Sequence, residues 1–396
     1  MSASESHAFN FLSRNRELDI LRGLAILAVI LNHAGEETIP GFPEIQGAAG
    51  FVFWSIKGIG WSGVDLFFIL SGFLIGGSLI NEIDKYGKID LKLFWLKRCF
   101  KILPSYAALL VGLALCGAVE ITLQQIPVFL FFLQNYLAPQ VVGPTWSLAV
   151  EEHFYLLLPL LLTGLILFWR GDSQRALRTM PLLALSVIIL VVSARIVNAA
   201  SGLENDDFMQ SHFRFDSLFM GVLLHWLWRY RSAFARRLVN PVTLIAIPLL
   251  IAPAMFLSRN DPRMFSLGFS LLAIGYALLT LFALERGFGR FGAGIIGSAM
   301  ASIGRWSYNI YLWHLFILAA GFPWYETIQL YLANCGFPPI PQAMAQTAIL
   351  ILFSILAGWL FTTIVEEPFL RLRNKVIKNR VTIRRLQLQA NTALSN

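Results

Sequence analysis

Stretches of about twenty apolar residues recur from one end of this chain to the other, and each is long enough to cross the hydrocarbon layer of a bilayer as a helix. That repetition leaves one architecture, because a bilayer interior offers the backbone no hydrogen-bond partner and a helix satisfies its own N–H and C=O groups. The expected fold class is therefore all-α: a polytopic membrane helical bundle of about ten transmembrane helices. They are expected near 18–35, 61–80, 103–119, 146–168, 180–199, 213–230, 240–257, 265–285, 303–320 and 343–365. Composition agrees. Of 396 residues, 57% are apolar and only 14% are charged, too few to cover a water-facing surface. Residues 126–138 (IPVFLFFLQNYLA) are apolar but short, and read as a re-entrant or interfacial piece packed beneath neighbouring helices.

Loop charge orients the bundle, because Lys and Arg are retained on the cytoplasmic side. With ten spans and the N-terminus inside, the inner segments hold 24 of the 31 Lys and Arg residues. The outer loops hold only Lys57, Arg259 and Arg263, and the spans hold Arg22, Arg195, Arg214 and Arg305. An eleventh span through 126–138 would move residues 169–179 outside and spoil this asymmetry, so both termini are expected in the cytoplasm. The expected organisation is a cytoplasmic segment over 1–15, one membrane domain over 16–371 and a basic tail over 372–396. The net charge of +8 is thus a topology signal and does not imply a nucleic-acid partner. The tail is expected to lie against anionic headgroups.

Residues 1–17 are polar, and the run that follows carries Arg22 and His33 and lacks a small-residue cleavage site, so no cleavable signal peptide is expected. Cys99, Cys116 and Cys335 are odd in number and scattered, which argues against a disulfide framework and a zinc site. Gly287–Gly292 matches a dinucleotide fingerprint, but it joins two membrane helices with no strand before it, so the match is accidental. Gly72 and Gly76 have helix-packing spacing. No metal and no bound cofactor are expected.

Ionisable groups inside a membrane are expensive and usually functional, so they mark where chemistry is to be sought. In the first span Arg22 and His33 lie eleven positions apart, on nearly the same helical face, about 16 Å from one another. A cation and an imidazole so placed suit a site that binds an anionic group and abstracts a proton, His being the natural general base near neutrality. The alternative is that Arg22 snorkels to the inner headgroups and His33 sits at the outer interface.

The second cluster is WSLAVEEHFY, where Glu151 and Glu152 are adjacent carboxylates near Tyr155. One of them is expected to orient or charge-pair His33; the alternative is that it pins two helices together. Further polar positions are Asp65 and Ser71, Arg214 and Asp216 (a candidate structural pair), Ser307, Tyr308, Tyr311 and His314, and Glu366 with Glu367. Arg98 and Lys101, in a basic run that precedes a span, are expected to grip the phosphates of a nucleotide-bearing donor, although the positive-inside rule explains them as well.

These pieces in this order resemble the acyltransferase-3 family of multi-pass membrane O-acyltransferases. The matching stretches are RELDILRGLAILAVILNHAG, GVDLFFILSGFLI, KRCFKILPSY, TWSLAVEEHFYLLLP, RFDSLFMG, SYNIYLWH and EEPF, running from Arg16 to about Arg371. The resemblance implies ten transmembrane helices in the bacterial cytoplasmic membrane. It also implies acyl-CoA as co-substrate and a sugar hydroxyl of a surface glycan or lipid-linked sugar as acceptor. Arg22 and His33 match the family's arginine and essential histidine, and the pattern also covers Glu152, Arg98, Ser307 and Tyr308. Many relatives append an extracytoplasmic hydrolase-like domain. A sequence ending at Asn396 is expected to act without one, alone or with a partner protein.

The expected reaction brings acyl-CoA from the cytoplasm, its phosphates near Arg98 and Lys101 and its thioester reaching past Arg22, while His33 takes the proton of the attacking hydroxyl and Glu152 supports the imidazole. Two alternatives stay open beside acylation of a surface glycan. One is acylation of a small secondary metabolite. The other is a transporter or flippase without chemistry, which would favour inverted repeats and broken helices.

Overall fold

The computed structural model describes residues 15–35, 44–117, 122–138, 145–201, 208–319 and 324–378, and these are helical with no strand among them. Residues 1–14 of the expected N-terminal segment and the basic tail beyond 378 lie outside the described residues. The chain opens with α1 (Arg16–His33), α2 (Gly47–Gly58) and α3 (Gly63–Tyr86), which ends on Gly87 in the left-handed conformation (φ 67°) that glycine adopts without penalty. Then follow α4 (Leu91–Leu115), the short α5 (Ile126–Leu130) and α6 (Gln134–Leu137), and α7 (Trp146–Phe168). Next come α8 (Ser173–Ala200), α9 (Phe215–Tyr230), α10 (Ser232–Leu238), α11 (Pro241–Ile251) and α12 (Pro253–Phe256). The last are α13 (Phe269–Arg286), α14 (Gly289–Ala293), α15 (Ile295–Ala319), α16 (Trp324–Asn334) and α17 (Pro339–Phe361). Side-chain caps start several of them: Asp90 receives Leu93 N–H at 3.0 Å and Asp172 receives Arg175 N–H at 2.9 Å.

Each of the ten expected crossings falls on a helix. By length and composition, six helical runs among the described residues are apolar enough to cross a membrane, and a seventh results if α10 with α11–α12, bent by 71°, is one span. The others miss for physical reasons. Helix α1 packs Arg16, Glu17, Asp19 and Arg22 into its first seven residues. Helix α9 has only 16 residues, and α15 carries several serines with Arg305 and Asn309.

Residues 126–138 hold no crossing helix. Phe132, with φ 58°, turns the chain between α5 and α6. Buried Asn135 and Gln134 then donate to the carbonyls of Trp146 (2.9 Å) and Thr145 (3.3 Å) at the start of α7. The segment is thereby tied under the start of α7.

Contacts divide the chain into two units: Met1–Asn32 with Phe51–Lys88 and Gly164–Arg305, and His33–Gly50 with Ile89–Thr163 and Trp306–Asn396. In the first, α3 and α9 meet through glycines. A Cβ on Gly72 would collide with the Leu218 carbonyl, and one on Gly221 with the Ile69 carbonyl. Gly76 rests on Val222 in the same seam, so the small-residue spacing read from the sequence serves close helix packing.

Among the described residues of this unit, two arginines and two aspartates are buried almost completely. Arg214 donates to Asp65 at 2.5 Å, and Arg195 donates to Asp216 at 2.6 Å, with side-chain exposures of 0–1% throughout. Ser270 donates to the same Asp216 oxygen at 2.8 Å, and the Arg214 guanidinium lies 3.7 Å from the centre of the Phe269 ring. The sequence suggested Arg214 with Asp216, but residues two apart do not face one another on a helix. Each reaches instead to another helix, Arg214 to α3 and Asp216 to α8.

Removing one member strands an opposite charge in the interior, and such losses run to about 3–5 kcal/mol. Asp216→Ala is therefore expected to lower the melting temperature of the detergent-solubilised protein sharply. The pair Arg195→Met with Asp216→Leu is expected to recover much of the loss, and thermal unfolding by intrinsic fluorescence measures both.

Candidate active site

The structure sorts the sequence-predicted residues by unit. Arg22, Asp65, Ser71, Arg214 and Asp216 belong to the first. There Arg22 is half-buried on α1 with its guanidinium 5.9 Å from the Phe67 ring centre, and Ser71 is half-buried on α3. His33, Arg98, Lys101, Glu151, Glu152, Tyr155, Ser307, Tyr308 and His314 belong to the second, where the end of α1 and helices α4, α7 and α15 carry them.

Within the second unit the polar groups form a run rather than isolated points. Along α15, Tyr308, Tyr311 and His314 recur every three residues, close enough to the helical period to share a face. Along α7, Ser147, Glu151 and Tyr155 recur every four. At one end the His33 and His314 rings stand with centroids 5.3 Å apart and planes tilted by 43°. His314 is fully buried, and its Nδ1 lies 2.5 Å from the Tyr311 carbonyl oxygen. One turn along, the Tyr311 hydroxyl meets Ser147 Oγ at 2.5 Å. A turn further on α7, the Tyr155 hydroxyl donates to Glu151 at 2.6 Å.

At the other end stand the cations of α4. The Arg98 guanidinium lies 5.8 Å from the ring centres of both Phe94 and Tyr155, and Trp95 Nε1 donates to the Tyr155 carbonyl at 3.1 Å. Glu152 feels the charges of Glu151 and Arg98. Its Oε1 and the Arg98 Nε are buried and have no hydrogen-bond partner among the described residues. In native proteins such atoms are few and commonly mark a site for water, an ion or a ligand.

Lys101 forms an ion pair with Glu366, whose second oxygen accepts from Asn309 Nδ2 at 2.8 Å. The same Asn309 nitrogen reaches Thr362 at 3.0 Å, and Tyr308 donates to the Ile102 carbonyl at 2.8 Å. Thr362–Glu366 winds as a π-helix, a form that recurs at functional sites.

Sequence reasoning singled out most of these residues but paired few of them. Lys101, expected to face a donor, is engaged by Glu366 of the π-helix that follows α17. Of the two carboxylates, one of which is expected to support His33, Glu151 accepts from Tyr155 and Glu152 feels the charge of Arg98, while the His314 ring neighbours His33. Ser147 and Asn309 were not selected. Ser147 lies inside the WSLAVEEHFY stretch, four residues before Glu151, and that spacing was the available signal.

An acyltransferase-domain family model, of the acyltransferase-3 type, matches residues 15–363. The chain belongs to the acyltransferase-3 family. It is also similar to the O-acetyltransferase OatA of Staphylococcus aureus strain NCTC 8325, 24% identical over 328 residues that cover 75% of this chain and 49% of that protein. A putative O-acetyltransferase of Staphylococcus aureus strain COL is 25% identical over 397 residues, covering 89% of this chain and 56% of its own length. The chain thus spans about half the length of the curated relatives it matches. No solved structure matches. Family and apolar helices together make this acyltransferase-3 member a multi-pass membrane protein.

The adjacent glutamates at the end of the π-helix that follows α17 give a contrast in stability. Glu366 has a side-chain exposure of 5% and Glu367 one of 47%, the latter in an i,i+4 pair with Arg371. Glu366→Ala removes the acceptor that Lys101 and Asn309 share and is expected to cost about 1–3 kcal/mol. Glu367→Ala is expected to cost under about 0.5 kcal/mol. Thermal unfolding of the two variants side by side checks the order.

Proposed function

We propose that this chain is a membrane O-acyltransferase that moves an acetyl group from acyl-CoA to a hydroxyl of a surface glycan or glycolipid. The observation that carries the reading is the polar run of the second unit, from Arg98 and Glu152 to His33 and His314, in a member of the acyltransferase-3 family. The names of its relatives favour acetyl as the group and oxygen as the acceptor atom.

His33 is the general base. It takes the proton of the acceptor hydroxyl as that oxygen bonds to the thioester carbonyl carbon. The C–S bond then breaks, and the proton passes from His33 to the departing thiolate of CoA. Arg98 receives the donor's phosphates, because its planar guanidinium suits bidentate anion binding and it stands at the basic end of the run. Lys101, paired with Glu366, holds α4 to α17. Glu152 has the unsatisfied oxygen nearest this end and hydrogen-bonds the donor rather than the imidazole. Arg22, three turns before His33 on α1, favours an anionic group along the donor's path.

The proposed topology has ten spans with both termini in the cytoplasm of a bacterium, and the membrane is the cytoplasmic one. It is supported by the asymmetry of Lys and Arg and by the helix found at each expected crossing. A cysteine introduced as Asn260→Cys is then expected to react with an impermeant maleimide added to intact spheroplasts, and Ser173→Cys only after lysis. The reverse pattern would overturn the orientation.

General-base help is worth about 10²–10⁴-fold in rate, so His33→Ala is expected to abolish detectable transfer while the protein stays folded. Mass spectrometry of surface glycans and glycolipids from cells with and without the gene, and with the His33→Ala form, reads this out. Loss of one acyl mass in both the deletion and the variant identifies the acceptor. Wild-type acylation by His33→Ala would remove His33 from the mechanism. Arg98→Ala is expected to raise KM for acyl-CoA well before it lowers kcat.

A further inference from the structure

His314 is fully buried on α15, beside the imidazole that the proposed reaction uses. Its Nδ1 is 2.5 Å from the Tyr311 carbonyl oxygen. A carbonyl only accepts, so Nδ1 carries the ring proton and Nε2 presents a lone pair. That Nε2 is buried and has no hydrogen-bond partner among the described residues. An acceptor left unsatisfied in a buried position is costly, and it persists where it has work to do. The carbonyl that sets this tautomer belongs to an anchored turn, since the Tyr311 hydroxyl is itself 2.5 Å from Ser147 Oγ.

We propose that His314 is the positioning residue for His33: its Nε2 accepts a hydrogen bond from a His33 ring N–H and so fixes which His33 nitrogen is free to take a proton. The inference rests on the reading of His33 as general base. Such a base needs its lone pair aimed at the hydroxyl and its N–H held elsewhere, a task that falls to a carboxylate in Ser-His-Asp triads. Here the ring neighbour of His33 is a second imidazole, with centroids 5.3 Å apart. Glu151 is hydrogen-bonded to Tyr155, and Glu152 is at the Arg98 end. Catalytic hydrogen bonds of this kind are often open without substrate and tighten when it arrives. When His33 becomes imidazolium the bond remains, because Nε2 still accepts. His314 neither gains nor loses a proton over the cycle.

The test separates the shape of the ring from the acceptor atom. His314→Phe keeps a ring and deletes the acceptor, whereas His314→Gln loses the ring and restores an acceptor near the Nε2 position. Full-length protein labelled with 15N-histidine is reconstituted in lipid nanodiscs, and its imidazole nitrogen resonances are assigned by single-histidine substitution. Wild type is expected to show His314 protonated at Nδ1. The His33 resonances are expected to move in His314→Phe and to return toward wild type in His314→Gln. Acyl transfer in cells is expected to fall about 10–100-fold in His314→Phe and to recover to within a few-fold in His314→Gln.

A His314 proton on Nε2, or His33 resonances unchanged in His314→Phe, would overturn the proposal. So would rescue by Phe with failure by Gln, the signature of a packing role. The resonances are read without any acceptor. The expected pattern with no acyl transfer from wild type would therefore keep the positioning role and defeat the acyltransferase reading.

Discussion

A guanidinium or carboxylate inside a membrane protein must have a partner, and this requirement organises both units. In the first, two arginines and two aspartates from α3, α8 and α9 pair across helices at full burial, with Ser270 of α13 closing the group. Desolvating four charges is expensive, and their attraction offsets it only while the geometry holds. The pairing therefore specifies which helices are neighbours more than it adds net stability. The glycine seam between α3 and α9 serves the same end, letting backbones approach until Arg214 can reach Asp65.

The second unit follows the same rule with different groups. Lys101 and Glu366 are matched, and Asn309 completes the acid. At Glu152, Arg98 and His314, buried polar atoms stand without hydrogen-bond partners. Buried atoms without a hydrogen-bond partner among the described residues also occur in the ionic cluster, at Asp65 Oδ2, Arg195 Nε and Asp216 Oδ1, so what distinguishes the second unit is its chemistry: two neighbouring imidazoles at one end of a polar run and a guanidinium at the other.

How much of this was legible in the sequence depended on whether the signal was local. The limits of α7 coincide with the span expected over 146–168, because a long apolar run set off by a polar loop reports itself. Helix α8 begins at Ser173 rather than near 180, since its first turns are polar and are started by the Asp172 cap, which hydropathy does not register. His33, Arg98 and the two glutamates were found because ionisable residues in apolar runs are conspicuous. Their partners were not. Arg214 and Asp65 are 149 positions apart, and nothing in either segment marks the other. Helix α7 presents its residues in sequence along its length, with Ser147 at the level of Tyr311 and Tyr155 at that of Arg98.

The π-helix at Thr362–Glu366 carries a last consequence. Winding one surplus residue into a helix rotates all that follows by about 100° relative to an uninterrupted α-helix. Neighbours on a helix already point about 100° apart, so the offset decides which of the two acids turns inward: Glu366 meets Lys101 and Asn309 while Glu367 looks outward to Arg371. Polarity on this helix is thus set by pitch as much as by residue type. Residue count between Phe361 and Glu366 is itself a property of the site, and two relatives with the same acids but a different count there would present different faces to α15.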